Sequence, residues 1–172
     1  MEKNKDRISF SDCFARLHSS TLWKMMSMKR NLSIVGYTTG VFDLFHVGHL
    51  NILKHARSMC DRLIVGVTTD ELALQLKGRS PVISFSERVE IVNSIRYVDE
   101  VSEERTDDKI YAWHQLKFNR IFKGSDWQGT EKWNQLEVLF REKGVDVVYF
   151  PYTEKTSSTL LRSVLSQIQR AQ

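Results

Sequence analysis

Apolar residues along the chain fall into short continuous runs, and the segments between the runs carry apolar residues at helical spacing. Continuous runs of this length are typical of strands that are buried on both faces of a sheet. They predict strands at residues 32–37, 61–69, 98–102, 120–123 and 145–150. The intervening segments predict helices at residues 50–57, 84–97, 108–117 and 131–143, and from residue 157 onward. Strands that alternate with helices indicate βαβ units, so we expect a doubly wound, Rossmann-like α/β fold with a mostly parallel five-stranded sheet.

Local sequence signals support several of these boundaries. Ser84 and Glu87 have the spacing of a capping box, which opens a helix, and Gly144 is a good C-terminal signal for the helix before it. The polar segment 77–81 predicts a loop that interrupts regular structure. In a parallel sheet, ligands bind at the carboxyl ends of the strands, so the segments that follow the strands are the place to look for a site.

The charge of the chain is concentrated in its first 30 residues. The 172 residues carry 25 Lys and Arg against 21 Asp and Glu, a formal net charge of +4 at pH 7. Residues 1–30 hold seven of the basic and three of the acidic residues, and the rest of the chain is balanced. A balanced domain argues against a nucleic-acid partner. We therefore divide the chain into an N-terminal extension, residues 1–30, helical or partly disordered, and a single domain, residues 31–172.

The remaining composition is that of an ordinary globular domain. The two cysteines, Cys13 and Cys60, have no motif spacing and predict no disulfide framework. No apolar run is long enough to span a bilayer, and the first residues lack the pattern of a secretory signal peptide. We expect a cytoplasmic protein that does not insert into a membrane.

Residues 40–49 carry the strongest chemical signal of the chain. They follow the first predicted strand and place His46 and His49 three residues apart where a helix begins. The two imidazoles then share a helix face, beside the free N–H groups and the positive dipole of a helix N-terminus. This arrangement suits phosphate oxygens, and a metal-ligand pair or two solvated side chains are the alternatives. The turn at Gly124 and the helix start at Ser157 also follow strands, so the three segments can meet in one crevice.

Seven blocks of sequence, in the same order, resemble the cytidylyltransferases of the nucleotidylyltransferase superfamily, most of all those that act on glycerol 3-phosphate. The resemblance spans about residues 32–168, and its blocks are residues 40–49, 63–71, 77–79, 86–88, 95–101, 124–127 and 153–159. It implies a nucleotidylyltransferase fold, a homodimer, and transfer of a cytidylyl group from CTP to a small phosphorylated alcohol. Mg²⁺ would arrive with the CTP, and no dedicated metal site on the protein is implied.

The resemblance also implies roles for individual residues. His46 and His49 would bind the triphosphate and stabilise the transition state, Lys77 would reach the phosphates from a flexible loop, and Asp43 would fix the histidine loop. The implied nucleotide contacts are Gly40, Val41, Phe42, Asp43, His46, His49, Gly124, Asp126, Trp127, Thr153, Ser157, Ser158 and Thr159. The implied contacts to the acceptor or to phosphate are Lys77, Arg79, Arg88, Arg96 and Lys155.

Each of these residues also has a plainer interpretation. Lys77 can be a solvated lysine, and Arg88 can form a surface salt bridge with a neighbouring acid. Residues 124–127 can be no more than a turn with a buried indole. Ser157 or Ser158 can simply cap a helix.

Two departures from the family pattern affect the choice of substrate. The last family motif is Arg-Thr-x-Gly-Ile-Ser-Thr, and here Tyr152 replaces the arginine while Lys155 and Thr156 replace Gly-Ile. Losing the arginine removes a fork-shaped phosphate contact. Three functions stay open. One is a cytidylyltransferase that makes a CDP-alcohol, such as CDP-glycerol for a surface polysaccharide or teichoic acid. The others are an ATP-dependent adenylyltransferase and a nucleotide-binding regulator without turnover.

Overall fold

The computed structural model describes residues 33–151 and 156–170. The predicted extension at residues 1–30 lies outside the described residues, and so do Tyr152, Thr153 and Lys155 of the last motif. The domain boundary and the roles given to those residues therefore stay predictions. Within the described ranges, no helix has both the length and the apolar composition needed to cross a membrane.

Five strands and six α-helices alternate along the described residues. The strands are β1 (Val35–Gly40), β2 (Arg62–Thr68), β3 (Glu100–Glu104), β4 (Arg120–Gly124) and β5 (Asp146–Phe150). The helices are α1 (Val47–Ser58), α2 (Asp70–Lys77), α3 (Phe85–Asn93), α4 (Lys109–Leu116), α5 (Glu131–Glu142) and α6 (Ser158–Arg170). The strands lie in the order β3-β2-β1-β4-β5, and every neighbouring pair is parallel. The predicted doubly wound fold is therefore confirmed, and its strand order reverses between β1 and β4.

The sheet is covered on both faces because side chains alternate between the faces along each strand. One core, which includes residues of α1 and α3, contains Leu53, Ala56, Leu63, Val65, Val67, Val92 and Phe122. The other, which includes residues of α5, contains Tyr37, Ile64, Phe118, Ile121, Trp133, Leu136 and Phe140. We call the two sides of the sheet the α1 face and the α5 face. The same alternation decides on which face each polar side chain at the carboxyl ends of the strands lies.

Two strands extend at least two residues further toward their carboxyl ends than the sequence predicts. β1 ends at Gly40 rather than at residue 37, and β3 ends at Glu104 rather than at residue 102. Both strands continue because they pair with β2, which lies between them: Gly40 pairs with Val67 and Glu104 pairs with Thr68. Pairing in the sheet therefore overrides the local hydrophobic pattern at these ends.

The helix α2 was not predicted. Thr69 caps it by accepting a hydrogen bond from the Leu72 N–H at 3.2 Å, and Gly78, with a φ of 67°, ends it in the left-handed conformation. The expectation that Lys77 lies in a flexible loop is wrong, because Lys77 is the last residue of this helix. Its side chain therefore starts from an ordered backbone.

Candidate active site

A cavity of about 510 Å³ opens at the carboxyl ends of the strands, where the reversal of strand order leaves a crevice. It brings together most of the predicted site residues, namely Gly40, Val41, Phe42, His46, His49, Lys77, Gly124, Asp126, Trp127, Ser157, Ser158 and Thr159. A second cavity of about 80 Å³ shares several of these residues and is lined also by Asp43 and Arg79. Arg88 and Arg96 line neither cavity.

His46 and His49 form a stacked pair at the N-terminus of α1. His46 is the N-cap residue, and its Nδ1 accepts a hydrogen bond from the Gly48 N–H at 3.0 Å. The centroids of the two rings lie 4.0 Å apart, with an angle of 27° between the ring planes. The alternative of a metal site would need further ligands, and the described part of the chain has no group of three or more His, Cys, Asp or Glu side chains placed to hold a metal ion.

Burial favours the neutral form of both imidazoles at pH 7. It lowers the pKa of His49 to about 3, with help from the charges of His46 and Lys77 and against the charge of Asp43. Burial also lowers the pKa of His46. Because His46 Nδ1 accepts from Gly48, the proton of the neutral ring lies on Nε2, which becomes a donor. His49 Nδ1 is buried and has no hydrogen-bond partner among the described residues.

Asp43 holds the loop that precedes the histidines. The residues on either side of it have positive φ angles, 55° at Phe42 and 47° at Leu44. Non-glycine residues keep this conformation only where their surroundings enforce it. The Asp43 carboxylate accepts hydrogen bonds from the Val82 and Ile83 N–H groups at 3.0 Å. Burial acts to raise the pKa of Asp43, but these hydrogen bonds and the guanidinium of Arg162 hold the pKa below its ordinary value.

The helix α6 is fastened to the same loop. Ser158 Oγ donates to the Asp43 carbonyl oxygen at 2.7 Å. Arg162 pairs with the Asp43 carboxylate and donates to the Ser80 carbonyl oxygen at 3.3 Å. Ser157 does cap the helix, since its Oγ accepts a backbone N–H at 3.2 Å. The sequence analysis missed Arg162, although its position four residues after Ser158 places both on one helix face.

Arg88 is buried, which corrects both predictions made for it, a phosphate contact and a surface salt bridge. Its side chain has 0% exposure and pairs with Asp70 at 2.7 Å. Its guanidinium also donates to the carbonyl oxygens of Val41, Thr68 and Ile83. Val41 directly follows β1, Thr68 is the last residue of β2, and Ile83 lies in the segment before α3. Arg88 therefore braces the backbone beneath the cavity and is out of reach of a ligand.

The other predicted phosphate contacts divide between the site and the surface. Lys77 lines both cavities, and Arg79 lines the smaller one. Burial of the Lys77 ammonium and the charge of Arg79 lower the pKa of Lys77, against the attraction of Asp43. Arg96 is exposed and donates to the Tyr97 hydroxyl at 2.7 Å. Within a single chain, Arg96 therefore does not reach the site.

The turn after β4 carries Asp126 and Trp127 to the rim of the larger cavity. It is a 3₁₀ turn over Ser125–Trp127. A Cβ atom at Gly124 would collide with the Asp126 carboxylate, so a side chain at that position would displace the carboxylate from its place at the cavity rim. Trp127 is 41% exposed, so the alternative of a turn around a buried indole is wrong.

A charged cluster at the other end of the cavity was missed by the sequence analysis. Lys109 is buried and pairs with Glu104 at 2.6 Å and with Asp107 at 2.7 Å. Thr68 Oγ1 donates to Glu104 at 2.6 Å. Lys123 lies on β4, and it lines the cavity together with these residues. The available signal was the position of these polar residues at or just after the carboxyl ends of β2, β3 and β4.

A family model described as cytidylyltransferase-like matches residues 37–164. This range includes the histidine loop, the charged cluster and the start of α6. The chain belongs to the cytidylyltransferase-like family. The resemblance inferred from the motifs is thereby confirmed, and the chain is an enzyme of the nucleotidyltransferase class.

Individual relatives of this cytidylyltransferase-like chain have different names. The glycerol-3-phosphate cytidylyltransferase of Bacillus subtilis is 35% identical over 136 residues, which cover 75% of this chain and 95% of that protein. The FAD synthase of Pyrococcus abyssi is 44% identical over 147 residues, which cover 84% of this chain and 96% of that protein. The bifunctional protein HldE of Granulibacter bethesdensis is 37% identical over 107 residues, which cover 62% of this chain and 21% of that protein. The chain thus spans about a fifth of HldE.

A solved structure has the same fold. The lipopolysaccharide core biosynthesis protein from Thermoplasma volcanium superposes with a TM-score of 0.60 at 25% sequence identity. The match covers 73% of this chain and all of that chain. Its extent agrees with a single nucleotidyltransferase-type domain over the described residues.

Replacing Arg88 with methionine is expected to lower the free energy of unfolding by about 3–5 kcal/mol. The substitution leaves Asp70 without its buried partner and three carbonyl oxygens without a donor. Urea unfolding measures this change. Arg96→Met removes the same charge from an exposed position and is expected to change stability by about 0.5 kcal/mol or less. Similar losses in the two variants would contradict the bracing role of Arg88.

His49 is expected to make the stability of the folded protein depend on pH below about 6.5. Its pKa is about 3 in the folded protein and about 6.5 in an unfolded chain, so the unfolded state binds the proton more tightly. The neutral ring makes its full contribution to the free energy of unfolding above pH 6.5, and this contribution is lost as the pH falls toward 3.

Urea unfolding of the wild type and of His49→Asn at pH 7 and pH 5 tests this expectation. The wild type should lose more stability than the variant between the two pH values. His114→Asn, at an exposed histidine, should lose as much as the wild type. Equal losses in the wild type and His49→Asn would show that His49 is not held neutral.

Proposed function

We propose that this chain transfers a cytidylyl group from CTP to a small phosphorylated alcohol, with glycerol 3-phosphate as the preferred acceptor, and releases pyrophosphate. The observation that carries the proposal is the stacked pair of neutral histidines at the N-terminus of α1. Neutral imidazoles donate N–H groups to phosphate oxygens, and the helix N-terminus favours the same negative charge. The pair lines a cavity that also contains the turn after β4 and the start of α6.

In the proposed reaction, an oxygen of the acceptor phosphate attacks the α-phosphorus of CTP. A new P–O bond forms, and the bond from the α-phosphorus to the oxygen that bridges to the β-phosphorus breaks. That oxygen keeps the electron pair and leaves as part of pyrophosphate. The acceptor phosphate is already ionised at pH 7, so the step requires neither an enzyme nucleophile nor a base. The protein positions the two substrates in line and balances the charge that grows on the leaving group.

The basic side of the site suits the leaving group. His49 and Lys77 line both cavities, and Arg79 and Arg162 line the smaller one. Asp43 is the carboxylate on this side, and it is already bonded to two backbone N–H groups and to Arg162. A surplus of cations therefore surrounds the place proposed for the β- and γ-phosphates. The hydroxyls at the start of α6 add further donors.

The choice of CTP is supported by the relatives that match over nearly their whole length. Glycerol-3-phosphate cytidylyltransferases of Bacillus spizizenii and Staphylococcus aureus are each 33% identical, over 96% and 92% of their lengths. FAD synthases match over a similar extent. That similarity favours a second candidate, adenylyl transfer from ATP to a different phosphorylated acceptor.

We extend the proposal to the metal and to the biological setting. Mg²⁺ is expected to enter with the triphosphate, where it would supply positive charge to the phosphate oxygens. Asp43, with its carboxylate engaged by protein donors, is not placed to form a cage for it. The protein is proposed to act as a cytoplasmic homodimer, and its CDP-alcohol product to serve the synthesis of a surface polysaccharide or teichoic acid.

Pyrophosphate release tests the proposed function directly. CTP and ATP are each offered with Mg²⁺ and a panel of phosphorylated alcohols, sugar phosphates and flavin mononucleotide. We expect release with CTP and glycerol 3-phosphate or a close analogue. Release with ATP alone would replace the proposal by its second candidate. If the protein is folded and releases no pyrophosphate with any pair of substrates, it would be a regulator that binds nucleotide without turnover.

Loss of either histidine of the pair is expected to lower kcat by about 10²-fold or more, because each donates to charge that develops in the transition state. The variants are His46→Asn and His49→Asn, measured at saturating substrates, with circular dichroism to show that the fold is kept. His114→Asn is the matched control and should turn over at the wild-type rate. Wild-type kcat in either variant of the pair would overturn the proposed roles.

A further inference from the structure

Lys123 is a cation at the cavity without a carboxylate partner. Its Nζ donates to the Thr39 carbonyl oxygen at 3.2 Å. It lies 5.0 Å from the ring centroid of Trp127 and 5.9 Å from that of Trp133. Across the described ranges of the chain, Lys123 takes part in none of the ion pairs. Aromatic faces and one carbonyl oxygen therefore replace the anion that usually accompanies a buried ammonium.

Two of the three acidic residues that act on Lys123, Glu104 and Asp107, are already paired with other lysines, and the third, Asp126, forms no ion pair with Lys123. Glu104 and Asp107 both bind Lys109, and Asp107 also pairs with Lys132. Burial and the charge of Lys109 lower the pKa of Lys123 to about 8, against the attraction of Glu104, Asp107 and Asp126. The surroundings thus leave the positive charge of Lys123 poorly compensated. An anion bound beside it would restore that balance.

Lys123 and the histidine pair lie on opposite faces of the sheet. Side chains alternate along β4, so Lys123 shares the α5 face with Ile121, a member of the core on that side. The helix α1, which carries His49, packs with the other core through Leu53 and Ala56. The larger cavity is lined from both sides and therefore crosses the carboxyl edge of the sheet.

An in-line displacement requires this kind of two-sided site. The attacking oxygen and the leaving oxygen lie on opposite sides of the α-phosphorus. With pyrophosphate leaving toward His49 and Lys77, the part of the cavity on the α5 face offers the acceptor phosphate a place on the opposite side of the α-phosphorus. Among the described residues, Lys109 and Lys123 are the lysines that line the cavity from that face. Lys109 is held by Glu104 and Asp107, whereas Lys123 has no carboxylate partner.

We infer that the Lys123 ammonium binds the phosphate of the acceptor substrate on the α5 face of the cavity. The inference rests on the proposed function and adds to it the residue that recognises the second substrate.

Lys123→Met tests the inference by separating the two substrates. The methionine keeps most of the length of the side chain and removes the charge. We expect the KM for the acceptor to rise about tenfold or more, as for loss of a charge-assisted hydrogen bond, while the KM for the nucleotide stays within about twofold. Lys132→Met removes a cation of the same cluster outside the cavity and should leave both KM values within about twofold. A rise confined to the nucleotide KM, or no rise, overturns the inference.

The pH dependence of the KM for the acceptor provides a second test of the inference. Lys123 loses its charge as the pH passes about 8, so the wild-type acceptor KM should rise above that pH. The other charged groups that face Lys123 are Lys109, Glu104, Asp107 and Asp126, and Lys123→Met keeps all of them. The rise should therefore be absent from the variant. A rise of equal size in Lys123→Met would overturn the inference.

Binding of inorganic phosphate separates this inference from the proposed function, because it needs no turnover. Calorimetric titration is done with pyrophosphate present, so that the basic side is occupied. The wild type and Lys132→Met should bind phosphate about tenfold or more tightly than Lys123→Met. If Lys123→Met does not fold, Lys123→Gln takes its place in the comparison. Absence of binding to the wild type, or equal binding by all variants, overturns the inference even if the enzyme is active. If Lys123→Met binds phosphate more weakly than the wild type although the wild type shows no activity, the phosphate site at Lys123 is supported and the proposed reaction is rejected.

Discussion

The buried carboxylate of Asp43 is the contact from which the rest of the site is built. It accepts N–H groups from the segment before α3 and pairs with Arg162 of α6, so one side chain joins three segments that are distant in sequence. The strained backbone on either side of Asp43 needs such support. The histidine pair follows directly on this loop, and its position therefore depends on the same carboxylate. Arg88 supports the loop from beneath through the Val41 carbonyl oxygen.

The site combines neutral donors with charged ones. The histidines are partly buried, and burial lowers the pKa of both rings and so favours their neutral, N–H-donating form at pH 7. Positive charge is supplied by Lys77 and Arg79 on one side and by Lys123 on the other. Fixed donors of this kind stabilise developing charge because they need no reorganisation during the reaction. Because these cations lie on two sides of the cavity, the two substrates of the proposed reaction can be bound independently.

The sequence predicted the elements whose signals are local. Continuous apolar runs located the strands, and the spacing of His46 and His49 placed both rings on one side of a helix start. The helix α2 was missed because Leu72, Leu74 and Leu76 alternate as in a strand, and two of them are about half exposed. Its cap residues, Thr69 and Gly78, were the better signal.

The residues that were missed or misplaced depend on contacts between distant segments. Nothing near Arg88 in sequence shows that three carbonyl oxygens from other segments will surround it. Lys109 and Glu104 are only five residues apart, but their pairing depends on where β3 ends, and that end is set by the register of β3 with β2. Sequence patterns locate the carboxyl ends of strands, whereas the partners that meet there are set by tertiary structure.

The two sides of the cavity also explain how relatives with different substrates share one fold. Under the proposed function, the side for the leaving group is built from the histidine loop, the end of α2 and the start of α6, and every nucleoside triphosphate would present the same pyrophosphate there. The side on the α5 face is built from the ends of β3 and β4 and the start of α4, and there the acceptor differs from one enzyme to another. The substitution at Tyr152 falls in the last sequence motif, whereas recognition of the acceptor on this view belongs to the charged cluster. The identity of the second substrate is therefore to be sought in residues 104–123 rather than in the histidine loop.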